Sequence, residues 1–426
     1  MPQKLIVIMI DGVSADYFAS ERGRLPHLSG LAARGLTVEN LHSEVLGISL
    51  GGRTGMLTGV TADVSGVYGN LIYDPAMGQF RYANPDDIRV PTIAARAKEA
   101  GRDVAAIGFG MIRPEDTHSF KPPWWVTSFV QRARDAEPVP SDAAWMRVFG
   151  NQDSGERFNR ACDRAGYPNG WPVMEVTNRA EGLLYGLMCD QHALNWVGIL
   201  ATDEEAPDFI IAEYLITDTV QHYTGYKSTM SHWSIADADS MVGVMLERLR
   251  AAGVEDQWNI AVMSDHGHSV IEQAIHPQVI IPGTVMQSEG SVLNVVPRDA
   301  AHLAEITEKL AAYGVEPFHV EYVPEDVRPL LASFVAPPRT SFEHDNPDET
   351  EPVGKPGMTS SHGLRPGDPG DDRFAVFAGP DVPQGVVKEA DAVQVAPTFA
   401  ALLGLPLDGF PASPIFALKE DAVTSA

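Results

Sequence analysis

The sequence predicts an α/β protein, a three-layer α/β/α sandwich with a central, mostly parallel sheet and inserted cap segments. Three observations predict it. Runs dominated by Ile, Val and Leu recur at 4–10, 104–109, 208–215 and 259–263, as in strands buried on both faces. Segments of helical periodicity separate them, so the strands join through crossovers and lie parallel. Aspartate or histidine follows several of these runs directly, at the carboxyl edge where open α/β sheets bind ligands.

Residues 4–10 read as a central strand. This apolar run is too short for a membrane span and ends in Asp11-Gly12 instead of a small-residue cleavage site, so neither an anchor nor a signal peptide is expected. A helix follows at 26–34, with Leu28, Leu31 and Ala32 on one face and Gly35 as its stop. Then come a strand near 36–43, a glycine-containing loop, a helix from about Ser49, a helix at 90–100 and strand 104–109. The pattern weakens from 111 to about 170, where Pro, Trp and charges mix. Residues 174–200 read as helical, with Leu183, Leu184, Leu187 and His192 in range of one another. Regularity returns with strand 208–215, helix 233–252 and strand 259–263. Residues 291–297, 299–313 and 316–322 form a β-α-β unit, and 338–357 a loop rich in Pro, Asp, Glu and Gly. A last strand spans 374–378 and a last helix 395–403. The core is therefore expected at 1–110, 206–270 and 358–426, with insertions at 111–205 and 271–357.

With 426 residues, 44% hydrophobic and 21% charged, the chain can bury a large core without disulfides, and global disorder is excluded. The net charge of −26 repels nucleic-acid backbone and anionic membrane, so neither is an expected partner. A small anionic substrate remains compatible where local cations neutralise it. Cys162 and Cys189 read as free thiols of a reducing compartment, and a cytoplasmic location is expected.

Asp11 follows the first strand, Asp218 and His222 follow 208–215, Asp265 and His266 follow 259–263, and His362 stands in Ser360-Ser361-His362-Gly363. Three carboxylates and three imidazoles suit two divalent metal ions of mixed N/O preference, zinc first, with manganese or iron as alternatives. Asp218 and His222 are four apart, a spacing that puts both on one helical face. Singly, each is ordinary. Asp11 reads as a helix N-cap, and a lone His as a satisfied polar residue, the reading given to His276, His302, His319 and His344. The combination lifts the set above that. Ser49 opens a helix whose first N–H groups and dipole favour an anion, and a cation beside its oxygen would activate it as a nucleophile; alone, it too reads as an N-cap. Gly51 and Gly52 are turn residues or allow a ligand close to the backbone. Trp124, Trp125 and Phe129 either stack on an aromatic group or pack within the cap.

These segments together resemble the alkaline phosphatase superfamily, most of all its type I phosphodiesterase/nucleotide pyrophosphatase branch, which includes phosphonoacetate hydrolases. The resemblance rests on Asp11-Gly12, the segment from Ser49 to Leu57-Thr58-Gly59, Asp218-Thr219-Val220-Gln221-His222-Tyr223-Thr224-Gly225, Ser264-Asp265-His266-Gly267 and His362-Gly363. A softer echo lies in the closing segment 396–406. The resemblance implies an alkaline phosphatase-like core with one metal held by Asp218, His222 and His362. It implies a second metal held by Asp11, Asp265 and His266, with Ser49 bridging toward the substrate as nucleophile. It also implies that Asn70, 21 residues after Ser49, hydrogen-bonds a phosphoryl oxygen; a plain turn residue is the other reading.

The departures are local. The branch usually carries threonine as nucleophile in a Thr-x-Pro-Asn context, whereas Ser49 is followed by Leu50-Gly51-Gly52-Arg53. Arg53 resembles the sulfatase and phosphonate monoester hydrolase branch, but Gly51 stands where formylglycine formation needs Pro or Ala. Arg53 either neutralises a substrate anion or faces solvent. Around 108–116 only Arg113 is a cation, which weakens a phosphonoacetate-type reading. The expected enzyme is a two-metal phosphohydrolase of phosphodiesterase/nucleotide pyrophosphatase type, cleaving small-molecule phosphate esters through a phospho-serine. Alternatives are a phosphomonoesterase or a phosphonate hydrolase, then a sulfatase or a phosphosugar mutase. A mutase would want a basic cap, and Arg132, Arg134, Arg147 and Arg157 are interleaved with acids. A degenerate binding protein is disfavoured by the complete ligand set. The expected partner is a small phosphate ester or phosphonate, and a homodimer is left open.

Overall fold

The computed structural model describes residues 4–43, 46–126, 155–344, 346 and 348–419. Phe129, Arg132, Arg134 and Arg147 lie outside them. The main sheet has eight strands: β1 (Lys4–Ile10), β2 (Leu36–His42), β3 (Val104–Ile107), β4 (Ser119–Lys121), β5 (Phe209–Tyr214), β6 (Trp258–Met263), β7 (Arg373–Ala378) and β8 (Gly385–Asp391). Their order is β8-β2-β7-β6-β1-β5-β3-β4. Neighbours run parallel except at β7, which is antiparallel to both β2 and β6. Ile10 pairs with Tyr214 and Met9 with Met263, so β1, β5 and β6 end nearly level.

The layers follow from the two-residue alternation of a strand. Leu5, Val7 and Met9 pack on one side with Met56 and Leu57 of helix Ser49–Thr58 and with Phe399 of helix Val395–Leu402. Ile6, Ile8 and Ile10 pack on the other with Trp196 and Leu200 of helix Arg179–Ala201 and with Val242 and Leu249 of helix Thr229–Ala252. Both sheet faces are thereby covered, which is why β1 is almost wholly apolar.

Several boundaries shift for capping reasons. The helix expected at 90–100 is Ile93–Glu99, because Thr92 accepts from Ala95 N and sets its start. The helix expected from 174 starts at Arg179 behind the Asn178 cap, and that expected from 233 starts at Thr229 behind the Ser228 cap. Strand β3 stops at Ile107, where Gly108 turns to φ 69°. Strand β8 carries no sequence signal of its own: it sits at the sheet edge, and most of its residues are exposed, among them Val386, Lys388, Glu389 and Asp391. The expected β-α-β unit exists as strand Val292–Val296, helix Ala300–Ala311 and strand Glu316–Phe318, but its strands belong to a four-stranded antiparallel sheet with Val285–Glu289 and Ala332–Val335. The stretch 338–357 is not all loop: Thr340–Phe342 and Val353–Gly354 flank Gln273–Ile275 as strands. Within 111–205, β4 and helix Arg179–Ala201 are parts of the main sandwich, so that stretch is not a cap throughout.

Two buried carboxyl groups, of Asp190 and Glu289, tie neighbouring segments to this scaffold. Helix Ile216–Thr224 has no side-chain cap of its own. Asp190, on helix Arg179–Ala201, substitutes: its Oδ2 accepts from Leu215 N and Ile216 N, both at 2.7 Å, and its Oδ1 from Trp124 Nε1 at 2.7 Å. Glu289 of the smaller sheet accepts from Leu71 N at 2.8 Å and so docks that sheet on the turn after Asn70.

Two outcomes follow. Asp190→Ala removes the acceptor that Leu215 N, Ile216 N and Trp124 Nε1 share and is expected to destabilise the protein by about 2–4 kcal/mol in urea unfolding, with Asp190→Asn closer to wild type. Burial pushes the Glu289 carboxyl up to about 8 from an ordinary 4.5. Its contribution to stability is therefore full below pH 4.5 and lost as pH rises through about 8. Thermal melts of Glu289→Gln against wild type should show a gap that widens in the variant's favour across that window; a gap independent of pH would contradict this.

Candidate metal centre

The carboxyl ends of β6, β1 and β5, adjacent in the sheet, each deliver an acidic or imidazole side chain to one place. Asp11 follows β1 directly. Gly12 turns with φ 71°, and a Cβ there would lie 3.0 Å from Asp218 Oδ1, so a side chain at 12 would collide with that carboxylate. Asp11 caps no helix; Ser14 does that, accepting from Tyr17 N. Helix Ile216–Thr224 sets Asp218 and His222 one turn apart, with His222 Nε2 3.4 Å from Asp218 Oδ1. Asp265 and His266 follow β6. A two-residue ladder pairs Ser269–Val270 with Ser360–Ser361 and brings His362 to the same edge.

Two clusters result. In each, ligand-type atoms lie within 4.8 Å of one another: Asp218 with His222 and His362, and Asp11 with Asp265 and His266. The clusters adjoin, the rings of His266 and His362 being 4.4 Å apart. His222 Nδ1 donates to Ser360 O at 3.1 Å and His266 Nδ1 donates to Gly267 O at 2.8 Å. Those bonds turn each Nε2 into its cluster, the orientation a metal-binding imidazole needs.

Ser49 is the first residue of helix Ser49–Thr58 and is not its cap; Ile48 holds the cap position without a side-chain bond. The cap comes from a distance, since Asn70 Oδ1 accepts from Leu50 N at 2.8 Å. Ser49 Oγ is thus free of capping and lies 3.1 Å from His266 Nε2. Gly51 and Gly52 lie inside the helix. A Cβ on Gly52 would come 2.1 Å from the Asp265 carbonyl oxygen, so the close approach it permits is that of protein backbone.

Arg53 does not face solvent; it is 2% exposed. Its guanidinium bonds Asp11, lies 3.3 Å from Glu213 and 3.5 Å from Asp265, and so sits behind the second cluster. Trp125 Nε1 donates to the other Glu213 oxygen at 2.5 Å, and Trp124 is held by Asp190. Both indoles are therefore anchored in the scaffold. Arg113 donates to Ile88 O at 3.0 Å, and its Nε lies 3.8 Å from Asp86.

Burial raises the Asp11 carboxyl to about 7, the Asp265 charge adding to the effect and Arg53 opposing it. Burial works against charge on His266, but Asp265 and Asp11 outweigh it and raise the imidazole to about 10. Against its own burial, Asp218 is held well below the carboxylate range by His222, His362 and His268. Burial and the neighbouring imidazoles push His362 well below its ordinary value. The residues fit divalent cations on one further observation. Asp218 Oδ1, Asp265 Oδ2 and His268 Nε2 are buried atoms that no hydrogen bond satisfies, which is costly unless a cation lies among them.

His268, Glu213, Asp190 and Ser360 were not picked out from the sequence. A second histidine two residues after His266 was the available signal for His268. The others had none, because Glu213 looks like one polar residue in a strand and Asp190 like one in a helix.

A sequence model of the family "Type I phosphodiesterase / nucleotide pyrophosphatase" matches residues 5–358. A Schizosaccharomyces pombe protein described as an uncharacterized pyrophosphatase/phosphodiesterase is 25% identical over 274 residues, 62% of this chain and 44% of that protein. The chain thus spans less than half the length of that curated relative. Among solved structures, murine ectonucleotide pyrophosphatase / phosphodiesterase 5 superposes with a TM-score of 0.68 at 16% identity, covering 96% of this chain and 98% of that one. The human protein of the same name gives 0.66 at 15% identity, covering 95% and 96%. These likenesses agree with the sandwich described above. On the family match over most of its length, from β1 through Asp265 and His266, the chain belongs to the type I phosphodiesterase/nucleotide pyrophosphatase family.

Proposed function

We propose that the chain is a metal-dependent phosphodiesterase that cleaves a small-molecule phosphate ester through a phospho-serine on Ser49. The observation that carries this reading is Ser49 Oγ, uncapped at a helix start and 3.1 Å from His266 Nε2. Two divalent cations, zinc first, held by Asp218, His222 and His362 and by Asp11, Asp265 and His266, would supply charge neutralisation for the phosphoryl oxygens. Ser49 Oγ bonds phosphorus and loses its proton to solvent, while the bond to the leaving oxygen breaks and that oxygen is protonated from solvent. Water then displaces Ser49 from phosphorus. Asn70, its Oδ1 committed to Leu50 N, has its amide nitrogen to offer a phosphoryl oxygen.

The position of Arg53 favours a diester. A monoester brings one more negative charge, and the cation four residues after Ser49 is committed to Asp11, Asp265 and Glu213. The role left to Arg53 is to hold those carboxylates in place. A cavity of about 530 Å³ is lined in part by Tyr223 and Ser361, the chain neighbours of His222 and His362, and by Gly290, Phe342 and Lys355. That volume suits an organic leaving group. The murine relative is described in an inactive form in complex with AMP, which supports a nucleotide-type substrate here. No helix among the described residues is long and apolar enough to cross a membrane. The two cysteines are free and buried, which supports a reducing, cytoplasmic setting.

The test is a panel of chromogenic aryl esters given to zinc-loaded protein: a phosphate monoester, a phosphate diester, a phosphonate monoester and a sulfate monoester. The diester should turn over fastest, and Ser49→Ala should lower that rate by about 1000-fold or more. Preference for the monoester would move the assignment to a phosphatase. A Ser49→Ala protein that keeps its rate would exclude the phospho-serine.

A further inference from the structure

One buried imidazole beside the first cluster has no part in the reaction above. His268 follows Gly267 in the loop after β6 and is fully buried. The ladder that brings in His362 also places it: Ser269 pairs with Ser361, so residues 268 and 362 flank that pair. His268 Nδ1 lies 2.6 Å from Ser360 Oγ, and its Nε2 makes no hydrogen bond. That Nε2 stands 3.5 Å from Asp218 Oδ1, an oxygen that also makes none. His222 Nε2 lies 3.4 Å and His362 Nε2 4.0 Å from the same oxygen. These separations are at or beyond the limit of a hydrogen bond. Those of His268 and His222 are close to the roughly 3.3–3.4 Å between ligand atoms on a tetrahedral cation with bonds of about 2.0–2.1 Å.

We propose that His268 is a fourth protein ligand of the cation held by Asp218, His222 and His362, binding through Nε2 while Ser360 Oγ accepts its Nδ1 proton. This rests on the metal-dependent reading above, and a phosphoryl oxygen would then enter that cation's shell as a fifth ligand. Ser360 then orients two imidazoles at once, His222 through its carbonyl oxygen and His268 through its hydroxyl. The first cation has three imidazoles and one carboxylate, a nitrogen-rich set that selects zinc-like ions over manganese or magnesium. The second has two carboxylates and one imidazole, with the Arg53 guanidinium behind them. The first ion is therefore the one retained when metal is removed stepwise.

The competing arrangement has Ser360 donating to Nδ1 and His268 donating from Nε2 to Asp218, which would make it a positioning residue. His268→Gln separates the two, because a glutamine amide can donate to Asp218 but offers no imidazole nitrogen. Zinc affinity is read by competition with a chromophoric chelator on full-length His268→Ala and His268→Gln, with folding followed by circular dichroism. Both variants should lose first-site affinity by more than about 100-fold, beyond the cost of losing an outer partner. Loss of the second ion should match wild type. Zinc-edge X-ray absorption of wild-type protein holding one equivalent needs no variant and should count three imidazoles. A count of two, or a Gln variant within a few-fold of wild-type affinity, overturns the proposal while leaving the metal-dependent reading intact. A wild-type protein that binds no zinc overturns both.

Discussion

Buried negative charge at the end of one sheet is the constraint on which the rest depends. Asp11, Asp218, Asp265 and Glu213 are all withdrawn from water, and the Arg53 guanidinium reaches three of them. Buried carboxylates persist only when paired, hydrogen-bonded or bound to metal. One guanidinium does not balance four carboxylates, and the imidazoles that face them are held by carbonyl or hydroxyl groups with Nε2 turned inward. The arrangement is strained toward cations, and the sandwich is what keeps it from relaxing. Strands β6, β1 and β5 end level because their registers are locked on both sides, and both faces of the sheet are packed.

The position of Ser49, the proposed nucleophile, depends on the same geometry. Helix Ser49–Thr58 can approach only because residue 52 lacks a Cβ and lies against the Asp265 carbonyl. Its start is capped by Asn70 from another segment, which leaves the Ser49 hydroxyl uncommitted to its own helix. Arg53, one turn on, is carried by that helix behind the second cluster. One buried helix thereby sets the positions of Ser49 and of the Arg53 guanidinium that reaches the carboxylates. The smaller antiparallel sheet reaches the same region through Glu289 and Gly290, the latter packed against the His362 carbonyl, and helps wall the cavity beside it.

Much of this was legible in the sequence because the signals are local. An apolar run followed by Asp or His states both a buried strand and what stands at its end, and four-residue spacing places Asp218 with His222. Both three-residue clusters came together as the motif order implied. What was not legible depends on tertiary packing. Nothing local says whether Arg53 points out or in, since helix Ser49–Thr58 is buried on nearly every side and has no polar face to read. Asp190 caps a helix from another helix, and Ser360 anchors two imidazoles across a ladder two residues long. Strand β8 is not legible because it is a mostly exposed edge strand and lacks the long apolar run that marks the others.

The central claim is that two cations complete this edge of the sheet. It is tested most directly by anomalous X-ray scattering from crystals of the full-length protein grown with zinc. The account predicts two peaks, one among Asp218, His222 and His362 and one among Asp11, Asp265 and His266. A crystal with no ordered zinc at these residues, or with zinc bound only elsewhere, would contradict it.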